Sequence, residues 1–125
     1  MLSVTKKFNF CYGHSLPGHK GKCKNIHGHN AELEVEFVSD GVHESQYGPG
    51  MIIDFSDIKK IIEPIIEKLD HQNLNDILAI SSLPTCENLI RWIVEEIFKT
   101  EYRDMLNRIR LTETPDSWAE WRRDE

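Results

Sequence analysis

The sequence predicts an α+β fold in which an antiparallel four-stranded sheet carries two helices on one face. Three observations predict it. Two stretches near the start and two near the end alternate apolar and polar residues with a period of two. Two stretches in the middle carry the three-to-four-residue apolar spacing of amphipathic helices. Strands gathered at both ends of a helical middle favour an antiparallel sheet with its helices on one side. At 125 residues the chain has room for one core, so residues 1–125 are expected to form a single domain.

The first strand spans 3–14, with Val4, Phe8, Phe10, Tyr12 and His14 on one face and Thr5, Lys7 and Asn9 on the other. Leu16-Pro17-Gly18 and Gly21 break it, so 15–24 is a loop returning the chain to an antiparallel partner near 27–39. There Leu33, Val35 and Phe37 alternate with Glu32, Glu34 and Glu36, giving one apolar and one charged face. Pairing these strands brings His14 beside His27 and His29. Residues 40–50 form a Gly- and Pro-rich loop in which His43 is solvated, and Met51-Ile52-Ile53 is expected as a short buried strand. Asp54 or Ser56 then caps a helix with the stripe Ile58, Ile61, Ile62, Ile65, Ile66 and Leu69. Pro64 is expected to kink that helix without dividing it.

The polar cluster Asp70-His71-Gln72-Asn73-Leu74-Asn75-Asp76 ends the first helix. Thr85 caps the second, with Glu87 in its positive first turn and Leu89, Ile90, Ile93, Ile97 and Phe98 along its stripe. A strand near 106–114 sets Ile109, Leu111 and Glu113 against Arg108, Arg110 and Thr112; Pro115-Asp116 turns it into a last strand, 117–123. Glu32, Glu34 and Glu36 then oppose Arg108, Arg110 and Arg122 on a charged face, which is either a wetted surface or the lumen of an oligomeric barrel. Periodicity does not choose between them.

Composition narrows the function classes. Apolar runs are too short to span a bilayer, and the first residues lack the apolar core of a secretory signal, which predicts a cytoplasmic protein. A net charge of −6 argues against a general nucleic-acid or anionic-membrane surface. Three cysteines, Cys11, Cys23 and Cys86, make no disulfide framework; in a cytosolic chain each is metal-bound, catalytic or buried. Lys20, Lys22 and Lys24 form one basic island around Cys23. Most short lysine runs are solvated loops, but this one overlaps the densest chemistry in the chain and is placed to meet an anion.

That chemistry is Cys23-Lys24-Asn25-Ile26-His27-Gly28-His29. On a strand, His27 and His29 share a face and can bind one metal, while Gly28 leaves room for a backbone or substrate to approach. With His14 they offer three nitrogens, the pattern of a catalytic zinc with an open position. A closed site with Cys23 as fourth ligand, another metal such as copper, and plain hydrogen-bonded histidines are the competing readings. Lysines beside Cys23 favour thiolate and a proton-abstracting or nucleophilic role. Asp70-His71 is either a cap or a carboxylate-imidazole pair that exchanges protons. Glu113 faces the apolar side and requires a partner: a flat ring with two N–H donors, an arginine, or backbone amides.

Taken together, Cys23-x3-His27-Gly28-His29, Gly50-Met51-Ile52-Ile53-Asp54-Phe55, Leu69-Asp70-His71-Gln72-Asn73-Leu74-Asn75, Pro84-Thr85-Cys86-Glu87-Asn88 and Glu113-Thr114 resemble the 6-pyruvoyl- and 6-carboxy-tetrahydropterin synthase family. The three-residue gap between Cys23 and His27 resembles the 6-carboxy branch of queuosine and other 7-deazapurine biosynthesis, and Cys23 separates the chain from folate-pathway variants that carry glutamate there. The resemblance implies a tunnelling fold whose sheets close into an oligomeric barrel, as a trimer or hexamer. It implies conversion of 7,8-dihydroneopterin triphosphate to 6-carboxy-tetrahydropterin, triphosphate and acetaldehyde. It assigns zinc to His14, His27 and His29, proton transfer to Cys23 with Asp70 and His71 of a neighbouring chain, and pterin anchoring to Glu113. Thr85 and Lys20, Lys22 and Lys24 are grouped with Glu113 as substrate-binding. The chain departs from the family at Cys11-Tyr12-Gly13, where small residues commonly precede the first zinc histidine.

Overall fold

A computed structural model describes residues 1–39, 49–77, 80 and 83–124. His43 lies outside them, as does most of the loop expected at 40–50. Strand β1 (Leu2–His14) and strand β2 (His27–Ser39) pair antiparallel along their whole length, from Leu2 opposite Ser39 to His14 opposite His27. Strand β4 (Leu106–Thr114) continues the sheet from β2, and β5 (Ser117–Arg122) folds back on β4. A two-residue strand, β3 (Gln72–Asn73), adds in parallel to the outer edge of β1, giving the order β3-β1-β2-β4-β5. Among the described residues the sheet therefore has five strands where four were expected. Two residues are too few for a periodicity, and β3 exists because the backbone turns sharply just before it.

That turn is made at His71, whose φ of 59° is left-handed, a conformation uncommon for a residue other than glycine. Its N–H donates to the Cys11 carbonyl at 2.6 Å, tying the start of β3 to β1.

Helix α1 (Phe55–Glu67) is capped by Asp54, whose carboxylate accepts the Ser56 N–H at 2.8 Å. Asp54 is thus the cap, and Pro64 lies inside one continuous helix as expected. Helix α2 (Cys86–Phe98) is capped by Thr85, whose hydroxyl accepts the Asn88 N–H at 3.1 Å. The isoleucine stripes of both helices join the inward residues of β1, β2 and β4 in a single core. Within it Leu33, Val35, Phe37, Ile58, Ile62, Leu89, Ile93, Ile109 and Leu111 are fully buried.

Met51-Ile52-Ile53 is not a strand. Ile52 and Ile53 are both buried while Met51 is exposed. Successive strand residues point to opposite faces, so an irregular bend is what lets two neighbours enter one core. Among the described residues, no helix is long and apolar enough to cross a membrane.

The outward sheet face is charged, as the alternation predicts. Glu34 faces Arg110 and Glu36 faces Arg108 across β2 and β4, while Arg108 faces Arg122 across β4 and β5. Two arginines side by side are accommodated because Arg108 reaches Glu36 at 3.3 Å and Glu120 at 3.1 Å, and Glu120 also holds Arg122.

The Thr85 cap generates a prediction. Thr85→Ala removes the acceptor for Asn88 N–H and is expected to lower unfolding stability by about 1 kcal/mol in denaturant titration, with Thr85→Ser retaining it. An alanine variant as stable as the parent would show that the cap contributes nothing.

Candidate metal centre and substrate cavity

The β1–β2 register sets His14 opposite His27 and Tyr12 opposite His29. All four side chains project from the apolar face at the end of the sheet. Ring centroids of His14, His27 and His29 lie 4.5 to 5.0 Å apart, and one ligand nitrogen from each falls within 4.8 Å of the others. Among the described residues this is the group whose donors converge on a metal position.

Backbone carbonyls prepare these rings for a cation. His14 Nδ1 is 2.8 Å from the Pro84 carbonyl and His27 Nδ1 is 2.9 Å from that of Asn25. A carbonyl only accepts, so each Nδ1 carries the hydrogen and each Nε2 keeps its lone pair for a metal. Burial lowers the pKa of His14 and favours the neutral, ligating form. Its Nε2 also lies 3.1 Å from His29 Nε2, an approach of two ring nitrogens that a shared cation or proton stabilises. The residues fit a metal held by three imidazoles.

Glu113 of β4 completes the cluster. Its Oε2 lies 3.0 Å from His29 Nε2 and 3.6 Å from His14 Nε2, and accepts the Tyr12 hydroxyl hydrogen at 2.7 Å. The inward parity of Glu113 thus left it in need of partners, and it finds two imidazoles and a phenol. Burial and the Glu113 charge raise the phenol's pKa, so Tyr12 remains a donor.

A cavity of about 320 Å³ opens over this cluster, lined by His14, His27, His29, Glu113, Cys23 and Thr85, with Cys86 also in its wall. Cys23 sits in a single 3₁₀ turn, Lys22–Lys24, and its carbonyl accepts the Leu16 N–H at 2.7 Å, which folds the loop against the sheet end. The thiol borders the cavity but lies outside the group of converging metal donors. Lys20, Lys22 and Lys24 are exposed, and none forms an ion pair among the described residues.

Asp70 and His71 are brought to each other but not to Cys23. Asp70 Oδ1 is 3.0 Å from His71 Nδ1 and accepts the Cys11 N–H at 2.9 Å; the latter bond and His71 hold the Asp70 carboxyl below its ordinary pKa. His71 lines a second cleft of about 480 Å³ with Cys11, Gly28 and Asn30, and His27 and His29 stand in the walls of both. Gly28 borders this cleft, and a Cβ there would meet only the Tyr12 carbonyl, at an ordinary 3.4 Å. Among the described residues, the Tyr12 carbonyl of β1 is the neighbour that comes within 4 Å of that position, so the room the glycine leaves opens into the cleft.

Two residues at the site were not read from sequence as functional. Cys86 points inward, its thiol donating to the Leu111 carbonyl at 3.6 Å, and burial with the Glu113 charge pushes its pKa up to about 12. Tyr12 was visible only through its parity with His14, a hydroxyl on an otherwise apolar face.

A two-helix, antiparallel α+β chain with three imidazoles and a carboxylate at one end of its inner face is a tunnelling-fold protein with a candidate metal centre. The 6-pyruvoyl tetrahydropterin synthase family model matches residues 3–124, and the chain belongs to that family. A Synechocystis protein named 6-carboxy-5,6,7,8-tetrahydropterin synthase is 38% identical over 98 residues, 78% of this chain and 75% of its own. The Haemophilus influenzae protein of the same name is 33% identical over 141 aligned positions, covering 97% of this chain and 99% of its own. The structure of Caenorhabditis elegans 6-pyruvoyl tetrahydropterin synthase superposes with a TM-score of 0.85 at 22% identity, covering 98% of this chain and 96% of that one, a likeness of fold.

If three imidazoles suffice, Cys23→Ala will retain one equivalent of zinc by metal analysis of the folded protein, whereas His27→Ala will lose it. Loss of zinc from folded Cys23→Ala would make the thiol a ligand.

Proposed function

We propose that the protein is a zinc-dependent 6-carboxy-tetrahydropterin synthase. It takes 7,8-dihydroneopterin triphosphate and the elements of water to 6-carboxy-5,6,7,8-tetrahydropterin, triphosphate and acetaldehyde, a lyase step towards queuosine and other 7-deazapurines. The observation that carries this reading is the meeting of three imidazoles, Cys23 and Glu113 around one cavity. The names of the Synechocystis and Haemophilus relatives support it.

In this reading His14, His27 and His29 hold zinc, which when bound supplies Lewis-acid polarisation of the substrate's side-chain oxygens. Glu113 accepts the paired N–H donors of the pterin ring and so fixes which side-chain carbon faces Cys23. Cys23, on the cavity wall, exchanges the proton at that carbon. Thr85 borders the bound ring while its hydroxyl caps α2. Lys20, Lys22 and Lys24, exposed around Cys23, meet the triphosphate.

The proton relay needs a second copy. Asp70 and His71 form a pair on the outer edge of β1, His71 is largely exposed, and neither lines the cavity that Cys23 borders. We propose that they serve the cavity of a neighbouring chain in a homo-oligomer, a trimer or hexamer whose sheets close into a barrel. The left-handed backbone of His71 is consistent with such a role, since strain of this kind gathers at functional positions.

Mass spectrometry of the product made by zinc-loaded protein tests the reaction. Carboxy product with acetaldehyde is expected; a pyruvoyl product would assign the 6-pyruvoyl synthase activity instead, and binding without turnover would leave a zinc-stabilised pterin-binding oligomer.

Shared sites make a separate prediction. Cys23→Ala and His71→Asn should each lose about a hundredfold or more in kcat. Asparagine tolerates the left-handed backbone, so the second variant should fold. Mixing the two after dissociation and reassembly should restore activity that neither has alone. If the mixture stays inactive while wild type reassembles with full activity, the relay is not shared between copies.

A further inference from the structure

Tyr12 stands between the metal centre and the proposed ring anchor. It is 3% exposed, packed edge-on to His14 and tilted against His29, and its hydroxyl donates to Glu113 Oε2 at 2.7 Å. The contact crosses the sheet. Tyr12 is on β1 and Glu113 on β4, with β2 between them, so the two side chains and the bond joining them together span two interstrand gaps of about 4.8 Å each. Ala31, small and buried on β2 between them, leaves room for the ring to lean across.

A carboxylate has two oxygens and about four lone-pair directions. The contacts of Glu113 with Tyr12, His29 and His14 are all made through Oε2. Without the phenol, the carboxylate would lose its shortest hydrogen bond and keep only the imidazoles and the Cys86 thiol, and rotation about its last side-chain bond, which is broad and roughly two-fold, would be less constrained. With the phenol in place, one oxygen is fixed from below and the plane of the carboxylate is set.

We infer that Tyr12 is a positioning residue for the pterin site: its hydroxyl locks the Glu113 carboxylate in the orientation that accepts the paired N–H donors of the ring. The inference rests on the reading of Glu113 as the ring anchor.

Tyr12→Phe removes only the hydroxyl and keeps the ring contacts with Phe10, His14 and His29, so the protein should fold and keep its zinc. Neopterin binding, followed by its fluorescence, is measured for zinc-loaded wild type, Tyr12→Phe, Glu113→Ala and the double variant. Tyr12→Phe should weaken neopterin about tenfold, the effect of misaligning a charge-assisted hydrogen bond, and should cost nothing further in the Glu113→Ala background. In turnover, KM for dihydroneopterin triphosphate should rise with little change in kcat, the mark of lost uniform binding. Affinity within about twofold of wild type in Tyr12→Phe, with Glu113→Ala still weak, overturns the inference and leaves the anchor standing. So does an equal loss in both backgrounds, or loss of zinc from Tyr12→Phe, since the phenol would then act through the imidazoles. Wild-type affinity in Glu113→Ala overturns the anchor itself, and the role of Tyr12 with it.

Discussion

The site depends on the backbone register of β1 and β2. Thirteen residues of each strand pair without a break, and that ladder places His14 opposite His27 and Tyr12 opposite His29. A slip of β2 by one residue would turn His27 and His29 to the charged face and bury the glutamates of β2 in their place. Such a slip is opposed along the whole strand, because Leu33, Val35 and Phe37 would leave the core together. The hydrophobic interior thus fixes the position of polar groups well beyond its own edge. It does so through the rigidity of the ladder, with no need for contact between the core and the imidazoles.

Placing imidazoles and a carboxylate at the end of an apolar face carries a desolvation cost, and each group meets it with a nearby partner. His14, only 2% exposed, takes the Pro84 carbonyl; His27 takes the Asn25 carbonyl. Glu113 takes the Tyr12 hydroxyl and the imidazole edges. Pro84 directly precedes the Thr85 cap of α2, so one short segment starts a helix, orients a candidate metal ligand and lines the cavity. Fold and site share atoms here, and substitutions at 84 and 85 would disturb both.

Much of this was legible in sequence because it follows from strict periodicities. Alternation gave the inward set of each long strand, and therefore the meeting of His14, His27 and His29. Thr85 was readable as a cap, and Asp54 as one of two candidates with Ser56, because short polar side chains before an apolar stripe have few other uses. What escaped has physical reasons. Ile52 and Ile53 are both buried, which reads as a strand, yet the core receives them through an irregular bend. Strand β3 is two residues long and depends on the backbone of His71, which no side-chain pattern records. Tyr12 looked like one more core aromatic, since parity tells which face a side chain takes and says nothing of how far along that face it reaches.

The charged face bears on how copies would meet. Arg108 and Glu34 are only 16% and 15% exposed within a single chain, because the arginines and glutamates pair laterally along the sheet. Arg110 Nε is buried without a hydrogen bond, yet it lies 3.5 Å from Glu34 in an ion pair and its guanidinium stacks 3.8 Å over the Trp118 ring. A face whose charges are satisfied along its own surface asks nothing of whatever lies opposite, so it suits the wall of a water-filled bore better than a packed interface. In the proposed oligomer, cohesion would then fall to the strand edges, where unpaired backbone groups seek partners. One of those edges is β3, beside Asp70 and His71. In the proposed barrel, one edge that would meet a neighbour carries the proposed proton-relay pair, which would couple assembly to completion of the site.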